Sequence, residues 1–191
     1  EPYRRQRQMC IRDRREGIPE EEILRYAKEQ RPKVIIMGTR GKSQKDIDLI
    51  GSVTAEIIDR SRTAVLAIPE NTPFKEFNEV KRIAFLTNFD QRDLIAFEAF
   101  FNTWKSFHFS VSLIHLAESK DTWNEIKLAG IKDYFQKQYP GLEIHYDVVM
   151  NDNLLKGLDQ YIKDNQIDII ALTSYKRNIF ARLFNCLLYT S

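Results

Sequence analysis

The chain has 191 residues, of which 43% are hydrophobic and 29% are charged. This composition is typical of a folded globular protein with one large or two small domains. The formal net charge is only +2, and much of the positive excess lies before residue 16. The body of the chain therefore lacks the basic surface that nucleic acid requires. No apolar run approaches the roughly 18 residues of a membrane-spanning helix, and we expect neither a nucleic-acid nor a membrane partner.

Both ends of the sequence are predicted to lie outside the fold. Residues 1–15 contain six arginines, residues 186–191 form a short tail, and both stretches resemble translated adapter sequence. The alternative for the first stretch is a basic arm that binds an acidic partner. Cys10 and Cys186 lie in these stretches and specify neither a disulfide framework nor a metal site, so we expect a reducing cytoplasm.

Helix and strand patterns alternate through the first part of the chain. Strong helix formers follow Pro19, and two short apolar runs have the character of buried parallel strands. The predicted elements are a helix at 20–29, a strand at 34–37, a helix from Ser52 to Arg60 and a strand at Ala64–Ile68. Residues 71–79 are polar and contain Pro73, which predicts a linker.

The same alternation resumes after the linker. Apolar runs separated by helical patterns imply a parallel sheet that is covered by helices on both faces. Strands are predicted at 83–86, 111–114, 144–149 and 167–172, and helices around 97–107, before Pro140 and at 154–163. Trp104 and Trp123 are assigned to core-facing stripes at helical spacing.

An internal repeat relates the two parts. Five positions match five others at a constant separation of 135 residues, which is about the length of one α/β domain. The pairs are Tyr26 with Tyr161, Lys28 with Lys163, Glu29 with Asp164, Ile35 with Ile170 and Thr39 with Ser174. We therefore predict the C-terminal part of a first domain at 16–70, and a second domain that lacks its last strand at 80–185.

Three of the seven glycines fall between residues 38 and 51. Gly38 ends a predicted buried strand, where the missing Cβ allows a sharp turn and lets a ligand approach the backbone. Gly51 and Ser52 open the next helix, whose unpaired N–H groups and positive dipole end favour an anion. The carboxyl end of a parallel strand is also where open α/β sheets bind ligands. The segment is a candidate phosphate site, with a simple turn between strand and helix as the alternative.

The spacing of this loop, Gly, two residues, Gly, nine residues, Gly and Ser, resembles the ATP-binding signature of the universal stress protein family. It matches neither the Walker A nor the Rossmann spacing. The resemblance implies an α/β fold in which helices cover both faces of a parallel sheet, a three-layer sandwich of the flavodoxin or Rossmann type. It further implies two copies of this domain in tandem. It also implies an ATP-binding stress-response or signalling protein, with or without Mg²⁺. The nucleotide-binding residues that it implies are Gly38, Thr39, Arg40, Gly41, Gly51, Ser52 and Val53.

The first copy is expected to hold an incomplete site. In the family, the adenine is held at the ends of the first two strands of the same domain, where one residue is acidic. Those strands are missing from the first copy, so ATP binding is expected to be weak or absent in this chain.

The second copy departs from the signature. Thr173 stands in place of Gly38, Lys176 stands in place of Gly41, and residues 174–185 contain no glycine. A Cβ at these positions narrows the room for a triphosphate. The family's acidic position falls on Asn88, with Asp90 nearby. We expect this copy to be a structural or regulatory partner. Self-association or domain pairing is expected separately, through the Ala64–Ile68 strand of the first copy, which resembles the family's last strand.

The sequence shows no constellation for catalysis or metal binding. His108, His115 and His145 have no recurring ligand spacing, and no nucleophile elbow is recognisable. An enzyme is therefore the less favoured interpretation. Two alternatives stay open: a slow ATPase or nucleotidyl-transferring enzyme, and a structural dimerisation module that binds no nucleotide.

Overall fold

Helices and strands alternate along the described chain, except where β2 is followed by β3 across the segment 69–81. The computed structural model describes residues 14–39, 51–70, 72–73, 75–117 and 119–173. In chain order the elements are α1 (Pro19–Gln30), β1 (Val34–Gly38), α2 (Ser52–Arg60), β2 (Ala64–Ile68), β3 (Arg82–Leu86), α3 (Gln91–Trp104), β4 (Ser110–Ala117), α4 (Thr122–Gln138), β5 (Ile144–Met150), α5 (Leu154–Asp164) and β6 (Ile169–Ala171).

The strands pair in parallel and form two sheets. The first sheet consists of β1 and β2, and the second sheet has the strand order β5-β4-β3-β6. Residues of α3 and α4 pack in one core cluster with the second sheet, and residues of α5 pack in another. Three layers result, and the predicted parallel α/β fold class is confirmed.

The two core clusters of the second sheet differ in composition. One is aromatic: the Phe97 ring lies 5.6 Å from that of Phe85 and 4.5 Å from that of Phe135, centroid to centroid. Such ring pairs contribute about 0.5–1.5 kcal/mol each beyond the area that they bury. The other cluster is aliphatic and contains Ala84, Leu86, Ile114 and Leu158. The helices of this part are therefore held mainly by side-chain packing.

Local signals set the ends of the helices. α1 begins at Pro19 and carries three glutamates in its first turn, and its C-cap residue Arg31 lies in the left-handed region with φ 47°. Asp90 caps α3 by accepting hydrogen bonds from the N–H groups of Arg92 and Asp93. Among the described helices, none is both long and apolar enough to cross a bilayer.

Three expectations for the second sheet are wrong. Trp123 is 66% exposed on α4, so it does not face the core. α3 ends at Trp104, which leaves the half-exposed Phe107 beyond the helix. β6 is also shorter than predicted, because the Ile167 N–H still donates to the Ile162 carbonyl at the end of α5.

The internal repeat has a structural counterpart. α1 and α5 begin at Pro19 and Leu154, and β1 and β6 begin at Val34 and Ile169. Both pairs of starting residues have the separation of 135 residues that relates the matching side chains. The same helix-then-strand unit therefore recurs at the spacing that the sequence predicts.

Asp168 ties the segment before β3 to the second sheet. Its carboxylate accepts hydrogen bonds from the Lys81 and Arg82 N–H groups and forms an ion pair with Lys75. Burial acts to raise the pKa of this carboxyl, but the Lys75 ammonium and the two N–H groups outweigh it. The pKa of Asp168 therefore lies below its ordinary value, and the ionised form stabilises the fold.

Candidate functional site

The end of β1 and the start of α2 are joined by two hydrogen bonds. The Gly51 N–H donates to the Thr39 carbonyl at 2.6 Å, and the Thr54 hydroxyl donates to the Gly38 carbonyl at 2.9 Å. Both contacts hold a strand end against a helix start, although residues 40–50 separate the two in sequence. Gly38 and Gly51, which the sequence assigns to one site, are therefore brought together.

The N-terminus of α2 differs from those of the other described helices. Gly51 is its N-cap residue, no side chain caps it, and its first turn contains no acidic residue. Glutamates fill the first turn of α1, and an aspartate or asparagine side chain caps each of α3, α4 and α5. The first intrahelical bond in α2 runs from the Ala55 N–H to the Gly51 carbonyl, at 3.0 Å. The N–H groups of residues 52–54 thus lie at a positive helix end that has no capping side chain and no acidic first-turn residue within the described part of the chain.

The predicted site residues take different places around this helix start. Ser52 is exposed, Val53 is half-buried, and Gly51 is buried. Thr39 is 1% exposed, and its backbone N–H donates to the Ile68 carbonyl at 3.1 Å. Its carbonyl accepts from the Gly51 N–H, so both backbone polar groups of Thr39 are engaged within the protein in this conformation. Arg40 and Gly41 lie outside the described residues.

Thr54 also belongs to this helix start, although it is not among the predicted site residues. Its side chain is 4% exposed, and its hydroxyl reaches back from the third residue of α2 to the end of β1. A threonine three residues after a glycine that opens a helix was the available signal, since hydroxyl side chains often bond to backbone at helix starts. Thr54 fixes the helix start and leaves the N–H groups before it clear of its side chain.

A second polar cluster lies at the carboxyl ends of β3 and β6. The Asp93 carboxylate is 1% exposed and accepts hydrogen bonds from the Asn88 N–H, the Thr87 hydroxyl and the Thr173 hydroxyl. Asp90, expected as an alternative acidic residue after the strand, is occupied in capping α3. The segment 174–185, including Lys176, lies outside the described residues.

The apolar depression beside this cluster is small. Its volume is about 30 Å³, and its lining comprises Leu86, Thr87, Asn88, Ile114, Leu116, Leu154 and Leu172. That is room for one or two water molecules, whereas ligand pockets enclose about 300–1,000 Å³. This depression is therefore too small for a nucleotide base.

His115 is a buried structural residue of β4. Its Nδ1 lies 2.9 Å from the Thr87 carbonyl, which can only accept, so Nδ1 carries a proton. Nε2 lies 3.0 Å from the side-chain amide of Asn124. The imidazole therefore links β3, β4 and α4. Within the described residues, no group of three or more His, Cys, Asp or Glu side chains is arranged to hold a metal ion.

Comparisons with known proteins agree with this architecture. The sequence model of the Universal stress protein family matches residues 6–69, which begins inside the arginine-rich stretch and ends after β2. A universal stress protein of Methanocaldococcus jannaschii is 42% identical over 52 residues, which cover 27% of this chain and 32% of that protein. A second from the same organism is 36% identical over 61 residues, covering 32% and 35%. The aligned segments thus span about a third of each relative.

A solved structure extends the similarity to the rest of the fold. The crystal structure of a universal stress protein from Archaeoglobus fulgidus superposes with a TM-score of 0.66 at 19% identity. The superposition covers 91% of this chain and 62% of that one. At this identity the likeness concerns the fold alone, while the family model matches the part of the sequence that contains the glycine loop. The chain is therefore similar to the universal stress protein family over residues 6–69, and its described fold is that of a solved member.

Proposed function

We propose that the chain is part of a tandem universal stress protein that binds ATP through its first domain, at the N-terminus of α2. The uncapped start of that helix, held against the end of β1, carries the proposal. Phosphate oxygens would accept hydrogen bonds from the N–H groups of residues 52–54, and Ser52 adds an exposed hydroxyl. The role is that of a stress-response or signalling protein in the cytoplasm.

Binding by this chain alone is proposed to be weak. β1 and β2 make up the whole of the first sheet in the described residues, and β1 pairs with no further strand there. A phosphate seat without a base pocket holds the charged end of the nucleotide and leaves the adenine unsupported. Inorganic pyrophosphate should therefore compete with ATP at similar concentration.

The substitution Ser52→Glu tests whether phosphate binds at the N-terminus of α2. A carboxylate in the first turn of a helix stabilises it by about 0.3–1 kcal/mol, so the fold should be unharmed. The same charge would repel a phosphate about 4–5 Å away, with up to about 4 kcal/mol at an effective dielectric constant of 20. We expect ATP affinity, measured by isothermal titration calorimetry, to fall at least tenfold.

The matched control is Ser52→Gln, which has the size of glutamate without its charge. We expect it to bind ATP within about threefold of the wild type. Equal ATP affinity in the wild type and the Glu variant, with both folded, would contradict a phosphate seat at this helix end.

Pairing through β2 is a second proposal, carried by its free edge. Among the described residues β2 pairs only with β1, and Ile68 at its end is 39% exposed. An uncovered apolar edge strand is a template for pairing with another chain or domain. Sedimentation velocity of the wild type should show self-association that Ile68→Lys reduces. Ile95→Lys, which changes a 60% exposed residue on α3, is the control and should leave it unchanged.

A further inference from the structure

The second sheet reverses its strand order between β3 and β6. The chain runs from β3 to β4 and β5 on one side, and β6 then pairs with the other side of β3. Ligands of open α/β sheets bind in the crevice at the carboxyl ends of the two strands that flank such a reversal. In this chain that crevice lies between Thr87, after β3, and Thr173, after β6.

A side chain of the protein itself occupies the crevice. One oxygen of Asp93 accepts from the Asn88 N–H at 2.6 Å and from the Thr87 hydroxyl at 3.2 Å. The other accepts from the Thr173 hydroxyl at 2.9 Å, across 80 residues of sequence. A backbone N–H and hydroxyl groups are the donors with which α/β proteins hold phosphate. The buried carboxylate therefore stands where the donors converge.

The turn before α3 is shaped around this carboxylate. Phe89 has φ 59°, a left-handed conformation that is uncommon for a bulky residue. Its N–H donates to the Thr87 hydroxyl at 2.8 Å, and its ring lies 5.0 Å from that of His115. These contacts hold the turn in the conformation that directs the Asn88 N–H at Asp93. The strained backbone supports a specific arrangement rather than a simple loop.

We propose that the Asp93 carboxylate is an intramolecular ligand of this crevice. It accepts the hydrogen bonds that a phosphate-bearing ligand would otherwise accept, and so prevents anions from binding to the second domain. The proposal goes beyond ATP binding at α2 and does not depend on it. A second carboxylate, Asp90 at the start of α3, adds to the repulsion that an incoming anion would meet. Removal of the Asp93 carboxylate should convert the crevice into an anion site.

The test compares three full-length variants that all carry Ser52→Glu, so that the α2 site is silent. The parent retains Asp93, the second variant carries Asp93→Ser, and the third carries Asp93→Asn. Inorganic pyrophosphate is titrated into protein with ¹³C-labelled threonine methyl groups, and NMR follows the signals of Thr87 and Thr173. Circular dichroism and thermal unfolding confirm that each variant is folded.

We expect saturable shifts at Thr87 and Thr173 in the Asp93→Ser variant, with an affinity at least tenfold above that of the parent. Asp93→Asn keeps the size of the side chain and removes the charge, so its affinity for pyrophosphate should be at least threefold above that of the parent. It also keeps the proposal testable should the serine variant fail to fold.

Two results would overturn the proposal. One is a folded variant without Asp93 that shows no pyrophosphate-dependent shift at either threonine. The other is a parent, with Asp93 intact, that already binds pyrophosphate there. Because every variant carries Ser52→Glu, neither result depends on whether the N-terminus of α2 binds ATP.

Discussion

The same substitution in two helices should have different effects on the free energy of unfolding. Gly130 in α4 has open space around the position of an added Cβ. An added Cβ at Gly157 in α5 would lie 2.8 Å from the Asn151 Cβ and 3.2 Å from the Val149 Cγ1. Alanine improves helix propensity by about 0.8–1 kcal/mol at either site, but overpacking at Gly157 costs about 1–3 kcal/mol.

We therefore expect Gly130→Ala to raise the free energy of unfolding by up to about 1 kcal/mol and Gly157→Ala to leave it unchanged or lower it by up to about 2 kcal/mol. Urea unfolding of both variants and of the wild type measures this difference. The free energy of unfolding should fall with urea concentration at the same slope in all three proteins. Equal stabilisation by both alanines would refute the close packing of α5 against the residues at and after the end of β5.

Two further predictions concern single polar contacts. Thr54→Val removes the hydroxyl that donates to the Gly38 carbonyl and should lower the free energy of unfolding in urea by about 1–3 kcal/mol. The control Thr103→Val removes an exposed hydrogen bond on α3 and should lower it by less than about 0.5 kcal/mol. Equal losses in the two variants would contradict the role of Thr54. Because the pKa of Asp168 is lowered in the folded state, its stabilisation is present above the ordinary aspartate pKa and is lost as pH falls through the folded value. Asp168→Asn should therefore lower stability at neutral pH and flatten its loss below about pH 4, as followed by thermal unfolding, while Asp133→Asn, at an exposed ion pair, should leave that pH profile unchanged.

Local sequence signals were sufficient to locate most elements of the fold. Pro19 marks the first residue of α1, Ser52 and Arg60 bound α2, and the run from Ala64 to Ile68 coincides with β2. These features depend on propensity and on apolar runs within a few residues, which a single sequence shows directly.

Contacts between distant residues could not be predicted in this way. The Thr54 hydroxyl meets a carbonyl 16 residues away, and Asp93 meets Thr173 across 80 residues. Trp123 shows the related difficulty for helix faces: helical spacing defines a stripe, but only the packing of α4 decides which stripe is covered. The helix start and the crevice are therefore properties of the folded chain.

An ATP titration of the ¹⁵N-labelled chain, followed by NMR, shows directly whether the N-terminus of α2 binds the nucleotide. We expect saturable shifts at the backbone amides of Ser52, Val53 and Thr54, with none at Asn88 or Thr173. Unchanged amides at the start of α2 under high ATP concentration, or shifts confined to the second sheet, would contradict this expectation.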